Sequence, residues 1–262
     1  MKWVEPRAIH LAQTEIDEAG LAEYLASTGV PDWSTDAPTG AEKLIEVLGR
    51  VCYRSFAPGL NPNVTKVREG NSSYLTNIIC QKHGALLEHA SDTYMLFGTS
   101  RIVTHQVVRH RVGVAYSQES GHYVRVDGIS SWFPRAFAEH PKADRLRELY
   151  AGFMEAAEGL QRLLADELGI DQLPFKDKKA MTTAMRRLVP DGLATALGMT
   201  ANHRTWRWLC QLRTADGNDD EIRMIFADIH SQQAARYPNL YADSHVRLVD
   251  GINEVTFENE KV

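Results

Sequence analysis

The chain has 262 residues, 44% of them apolar, which is enough to bury a sizeable core within a single domain spanning residues 1–262. Its net charge of −5 argues against a general binder of nucleic acid or membrane surfaces, so local basic clusters must serve small anions. No apolar run is long enough to span a bilayer and the start MKWVEPRAIH lacks a signal peptide's apolar core, so a cytoplasmic protein without nucleic-acid or membrane partners is expected.

In chain order, residues 6–13 read as an opening strand and Leu21 to Ser27 as a short helix stopped by Gly29 and Pro31. After a polar loop, AEKLIEVLGRVCYRSF places Leu44, Ile45, Leu48 and Val51 on one helical face, directed inward. Residues 57–71 read as a connection rich in turn formers, either a lid or plain surface, before a helix TNIICQKHG capped by Ser73 or Thr76 and ended by Gly84. DTYMLF at 92–97 reads as a strand, Gly98 as a turn, and Ser100 to His110 as a helix with Arg101, His105 and Arg109 along one charged face.

Residues 116–121 read as a polar loop and Tyr123, Val124 and Val126 as a strand. Residues 142–168 form the cleanest amphipathic helix, with Leu146, Leu149, Tyr150, Phe153, Ala157, Leu160 and Leu164 on one side, a scaffold element. DKKAMTTAMRRLVP is a further helix ended by Pro190, and 193–200 a strand running into the helix RTWRWLCQLR. Glu221 to Ala235 is a helix with Ile222, Ile225, Phe226 and Ile229 inward, and the tail is a hairpin turning at Asp250-Gly251. Together these elements give a mixed α and β composition.

Chemistry concentrates at Arg109-His110-Arg111. Adjacent guanidinium forks and an imidazole gain little in a helix unless anionic groups meet them, and phosphate accepts such forks bidentately. The plainer reading is a solvated helix end with cations near the negative pole of the dipole. His83, Glu88 and His89, with His105, His110 and His122, raise the question of a metal, but no HExxH or CxxC spacing is present and no metal site is expected. Cys52, Cys80 and Cys210 each stand among apolar neighbours and are expected to be reduced core thiols, none placed as a nucleophile.

Arg109-His110-Arg111, then Ser120 and Gly121-His122-Tyr123 resemble the signature of the flavin-dependent thymidylate synthases. The spacer between Arg111 and Ser120 is one residue longer than the signature is usually written, and His122 replaces the usual arginine. Flanking stretches are similar to the family from about residue 52 to 223: Ser55, the Glu88-His89 segment with Ser91, Arg186 four before Pro190, Asn202-His203-Arg204, and Arg213. Gly217, Asn218 and Asp219 depart from the family's usual histidine- and glutamine-containing turn.

The resemblance implies an α+β domain with an antiparallel sheet flanked by helices, assembling as a homotetramer with sites between subunits. It implies FAD held by Ser91, Arg109, His110, Arg111, Gln118, Asn202 and Arg204. A pyrimidine nucleoside monophosphate would be held by Gln106, Arg109, Gln118, Ser120, Gly121, His122, Arg186 and Arg213, with Arg213 as the catalytic group. The implied reaction is reductive methylation of uracil C5, dUMP to dTMP, with NADPH and methylenetetrahydrofolate as co-substrates. His122 and the altered turn leave two alternatives: a C5 methylase of UMP or a modified uridylate, or a non-catalytic flavin- and nucleotide-binding relative.

Overall fold

The structure is a computed structural model and describes residues 1–120, 128–260 and 262. Short strand β1 (Lys2–Trp3) precedes β2 (Arg7–Gln13), α1 (Glu18–Ser27), α2 (Gly40–Tyr53) and α3 (Asn71–Cys80). Then come β3 (Ser91–Ser100), α4 (Arg101–Val107), β4 (Val114–Gln118), β5 (Ser130–Ser131), α5 (Arg135–Ala138), α6 (Ala143–Glu167) and α7 (Phe175–Met185). The chain finishes with β6 (Ala194–Asn202), α8 (His203–Thr214), α9 (Asp220–Arg236), β7 (Ser244–Val249) and β8 (Ile252–Phe257).

The central sheet has the order β2-β3-β6-β4 and is antiparallel throughout. On β6, Thr195, Leu197, Met199 and Ala201 are buried while the residues between them are only half-buried. This period-2 alternation gives the sheet one packed face. Tyr94 and Leu96 of β3 join that face, and Val103 and Val107 of α4, Trp206, Leu209 and Cys210 of α8, and Ile222, Ile225, Phe226 and Ile229 of α9 cover it. A second core joins α2 and α3 to the chain's end, with Ile45, Leu75, Ile78, Tyr237, Tyr241 and Phe257.

Several elements differ from the sequence reading. Helix α2 buries Glu42, Glu46 and Arg50 and leaves Val51 exposed, while Leu44 and Leu48 are only half-buried. Ile45 is buried as expected, and the charges buried with it are satisfied: Arg50 donates to Glu46 Oε1 through Nε (2.9 Å) and Nη2 (2.7 Å), and Glu46 also accepts from Asn71 Nδ2 at 2.7 Å. Helix α3 begins at Asn71, where the Asp36 carboxylate accepts from its N–H at 2.6 Å, so neither Ser73 nor Thr76 is the cap. It ends at Cys80, and the left-handed position after it is Lys82, not Gly84.

Gly84 is needed for close approach: a Cβ there would lie 2.9 Å from Arg204 Nε and 3.2 Å from the Val262 Cα. Strand β3 runs through Gly98, whose φ of 72° accompanies a shift of register against β6. Helix α4 stops at Val107, which places Arg109, His110 and Arg111 after the helix rather than on its face. Tyr116 to Gln118, read as loop, belong to β4; Tyr123, Val124 and Val126 lie outside the described residues. Cys52 and Cys80 are exposed and only Cys210 is buried. The β7–β8 hairpin turns at Asp250 (φ 51°) and Gly251 (φ 75°), as expected of this dipeptide.

Candidate active site

The cationic turn after α4 lies along α8 and is tied to both ends of that helix. At the helix start, Asn202 caps α8 by accepting from Thr205 N–H at 2.9 Å, and Thr205 Oγ1 donates to the Val112 carbonyl at 3.3 Å. Gly113 sits against this cap at φ 69°, and a Cβ on it would fall 2.6 Å from Asn202 Nδ2 and 2.7 Å from Thr205 Oγ1. The position therefore combines left-handed backbone with a contact that no side chain could share. Ser91 pairs with Asn202 across the sheet, so β3, β6 and the turn into β4 converge at one sheet end.

At the other end of α8, Arg213 Nε donates to His110 Nε2 at 3.0 Å and Nη2 lies 2.6 Å from the same nitrogen. A guanidinium has no acceptor, so the imidazole lone pair at Nε2 faces Arg213 and His110 is neutral with its proton on Nδ1. Burial, then Arg213 and Arg109, lower the His110 pKa. Arg213 Nη2 also reaches the Gln106 carbonyl at 3.3 Å, and Nη1 donates to Asn218 Oδ1 at 3.4 Å. Burial and the neighbouring Arg109 lower the Arg213 pKa. The Tyr116 hydroxyl lies 2.8 Å from the carbonyls of both Val107 and His110, and its pKa is pushed up to about 12 by burial.

Arg109 and Arg111 are exposed, and neither has a carboxylate partner among the described residues. Gln118 Nε2 donates to Thr104 Oγ1 at 3.0 Å, which joins the end of β4 to α4, and Ser120 follows two residues on. Arg204 is half-exposed and donates to Glu88 Oε1 at 2.6 Å. Next to it, His83 and Ala85 line a cavity of about 500 Å³ together with Ser55, Lys66, Arg68 and Tyr74. Arg186 stands on a separate exposed element, the 3₁₀ turn Arg186–Leu188 after α7. Gly121 and His122 lie outside the described residues.

Sequence reasoning noted Asn218 only as a departure from the family pattern and gave neither it nor Trp208 a role. Asn218 stands in the turn that departs from the family pattern, yet its side chain holds Arg213 and also donates to the carbonyls of Leu212 (3.0 Å) and Ala215 (2.9 Å). Trp208 is 46% exposed and meets the His110 ring edge-on at 5.0 Å. A large aromatic on the outward face of an otherwise amphipathic helix was the available signal. Among the described residues no three His, Cys, Asp or Glu side chains gather as metal ligands.

The family profile described as "Thymidylate synthase complementing protein" matches residues 35–239, most of the chain. The chain is 34% identical over 226 residues to the flavin-dependent thymidylate synthase of Mycobacteroides abscessus, covering 84% of this chain and 86% of that one.

The chain belongs to the flavin-dependent thymidylate synthase family.

The enzyme of the same name from Corynebacterium glutamicum is 33% identical over 230 residues, covering 86% of this chain and 88% of that relative. Solved structures of lower identity share the fold. The UMP/dUMP methylase PolB from Streptomyces cacaoi, bound with 5-Br dUMP, superposes with a TM-score of 0.63 at 14% identity, covering 92% of this chain and 96% of that chain. Thymidylate synthase X from Helicobacter pylori, with FAD and dUMP, gives 0.57 at 17% identity, covering 91% and 98%. The family match takes in Arg109, His110, Arg111, Asn202, Arg204, Arg213 and the Asn218 turn, whereas the β7–β8 hairpin lies beyond its last residue.

Proposed function

We propose that this member of the flavin-dependent thymidylate synthase family methylates dUMP to dTMP, with FAD as cofactor and NADPH and methylenetetrahydrofolate as co-substrates. The observation that carries the reading is Arg213, a cation held in fixed orientation by His110, Asn218 and the Gln106 carbonyl beside the Arg109-His110-Arg111 turn. Uracil C5 becomes nucleophilic only if negative charge on the ring is stabilised. A preorganised guanidinium at the ring carbonyl does this without an attacking thiolate. The one buried thiol, Cys210, is pushed well above its usual pKa by burial and is unsuited to addition at C6.

The residues fit FAD in kind. Arg109 and Arg111 are exposed cations without a carboxylate partner among the described residues, Gly113 permits close approach at the α8 cap, and the neighbouring cavity has room for a planar ring system. FAD, when bound, supplies the hydride chemistry. In the reading proposed, Ser91, Arg109, His110, Arg111, Gln118, Asn202 and Arg204 bind it. Gln106, Arg109, Gln118, Ser120, Gly121, His122, Arg186 and Arg213 bind nucleotide. Neutral His110 carries its proton on Nδ1 while its Nε2 keeps Arg213 in place.

The proposal extends to a homotetramer with sites shared between subunits. It is supported by the half-buried second face of the sheet and the apolar residues that α6 exposes, Leu149, Phe153, Leu160 and Leu163. A second reading, in which UMP or a modified uridylate is methylated, is motivated in the sequence by His122, which stands where the family has the longer arginine. Anaerobic incubation of flavin-reconstituted protein with NADPH, methylenetetrahydrofolate and either dUMP or UMP, with product identification, tests both. Arg109→Ala should weaken flavin retention measurably by absorbance, and wild-type retention would place the cofactor elsewhere.

A further inference from the structure

The C-terminal hairpin closes over the end of α8 that carries Arg213. Thr214, the next residue, is fully buried and both of its oxygens are occupied. Its hydroxyl donates to the Cys210 carbonyl at 2.7 Å and accepts from Val255 N–H of β8 at 2.8 Å. Its carbonyl accepts from Arg223 Nε at 3.2 Å, and Arg223 Nη2 reaches back to the Val249 carbonyl of β7 at 3.0 Å. One residue pair further on, Glu254 Oε1 accepts from Asp216 N–H at 3.2 Å, and on the preceding turn Gln211 Oε1 accepts from Phe257 N–H at 3.2 Å. Contacts from the hairpin thus bracket Arg213 on both sides along the chain, at Gln211, Thr214 and Asp216.

We propose that the β7–β8 hairpin is a positioning element for Arg213, acting through Thr214 and Glu254 on the turn that also carries Asn218. The inference rests on the reading of Arg213 as the group that polarises the uracil ring. A guanidinium that stabilises developing charge works only when aimed, and a displacement of about 1 Å can cost on the order of 10²-fold in rate. Arg213 follows its own backbone and the Asn218 oxygen. His110 and the Gln106 carbonyl hold the guanidinium from one side and Asn218 from the other, so what fixes residues 214–218 sets where the helix end and the Asn218 oxygen present it. Among the described residues that grip comes from α9, through Arg223, and from the hairpin.

The test uses full-length, FAD-reconstituted protein with NADPH, methylenetetrahydrofolate and dUMP, reading kcat and KM separately together with the flavin absorbance change on adding dUMP. Thr214→Val keeps the shape and removes the hydroxyl; it should lower kcat on the order of 10-fold or more, with a smaller change in KM and an altered dUMP-induced flavin spectrum. Thr214→Ser restores the hydroxyl and should recover most of kcat. Glu254→Ala should lower kcat several-fold, and Glu254→Gln, which keeps an acceptor for Asp216 N–H, should recover it; this pair decides the matter if Thr214→Val does not fold. Wild-type kcat in Glu254→Ala, or a Thr214→Ser variant as impaired as Thr214→Val, overturns the proposal. Arg213→Ala run alongside separates the two readings: if it retains turnover the role of Arg213 fails, and if it alone loses turnover only the hairpin's role fails.

Discussion

At Arg213 the physical problem is a cation beside other cations. Arg109 and His110 are its neighbours, and its own pKa and that of His110 are both lowered, so the cluster is stable only while the imidazole is neutral and accepting. This arrangement keeps a positive field at one spot, and among the described residues no carboxylate pairs with Arg213. Arg213→Ala should therefore lose about 10²–10³ in turnover, the scale of removing one donor from a developing anion, and Arg213→Lys should recover only part because the planar fork is lost. A steady-state assay of the two variants checks the assignment, and unchanged turnover in the alanine variant removes it. Cys210→Ala should cost about 1–3 kcal/mol of stability by thermal denaturation while methyl transfer persists. Cys52 and Cys80 are exposed and their replacement should leave both stability and turnover nearly unchanged.

Helix α6 shows what periodicity can and cannot say about an element. Its length and amphipathic spacing were legible, and the observed Ala143–Glu167 agrees with 142–168. It was read as a scaffold element with an apolar side, yet Leu149 is 54%, Phe153 63% and Leu163 64% exposed, and the residues it buries are Met154, Glu158 and Gln161. An exposed apolar stripe of this kind supports the proposal that another copy of the chain covers this face. Phe153→Asp and Leu163→Asp should each shift the protein toward smaller assemblies in analytical ultracentrifugation with the protomer still folded; unaltered sedimentation of both would exclude this face from the interface. For α2 the failure was of the opposite sign. Glu46 and Arg50, four residues apart, had no place on the apolar face read from the sequence, and their burial is offset by their mutual pairing, by Asn71 and Thr35 on Glu46, and by the carbonyls of Ser55 and Arg68 on Arg50.

Across the whole molecule, the polar centre under the sheet sets the response to acid. His203 is held down to about 3 and His230 to about 4, both mainly by burial, while burial raises Asp92 to about 6. Each histidine has a folded pKa below its unfolded value near 6.5, so the stability it contributes is present above that value and is lost as pH falls toward the folded pKa. Asp92 has the opposite sign: its folded pKa lies above the unfolded value, so its burial cost is largest above about 6 and is relieved as pH falls toward 4. Two groups outweigh one, and the melting temperature should fall as pH is lowered from 7 to 4. His203→Gln should flatten that slope; a melting temperature that rises over this interval would contradict the assignment.

What the sequence determined by itself is local or tied to motif. Arg109-His110-Arg111 with Ser120 pointed to the family, strands read at 6–13, 92–97 and 193–200 overlap those observed although the second runs on through Gly98 to Ser100, and Asp250-Gly251 specified a hairpin. These are interactions between residues close in the chain, where propensity and spacing act directly. Tertiary structure alone decided that His110 and Arg213, 103 residues apart, share a hydrogen bond, and that Asn218 rather than a family-like residue holds the cation. It also decided that the hairpin beyond the family match braces Thr214. Such partners are chosen by which donors and acceptors a fold brings within about 3 Å, and buried polar groups accept any arrangement that satisfies them, so their identity leaves no period or spacing to read in advance.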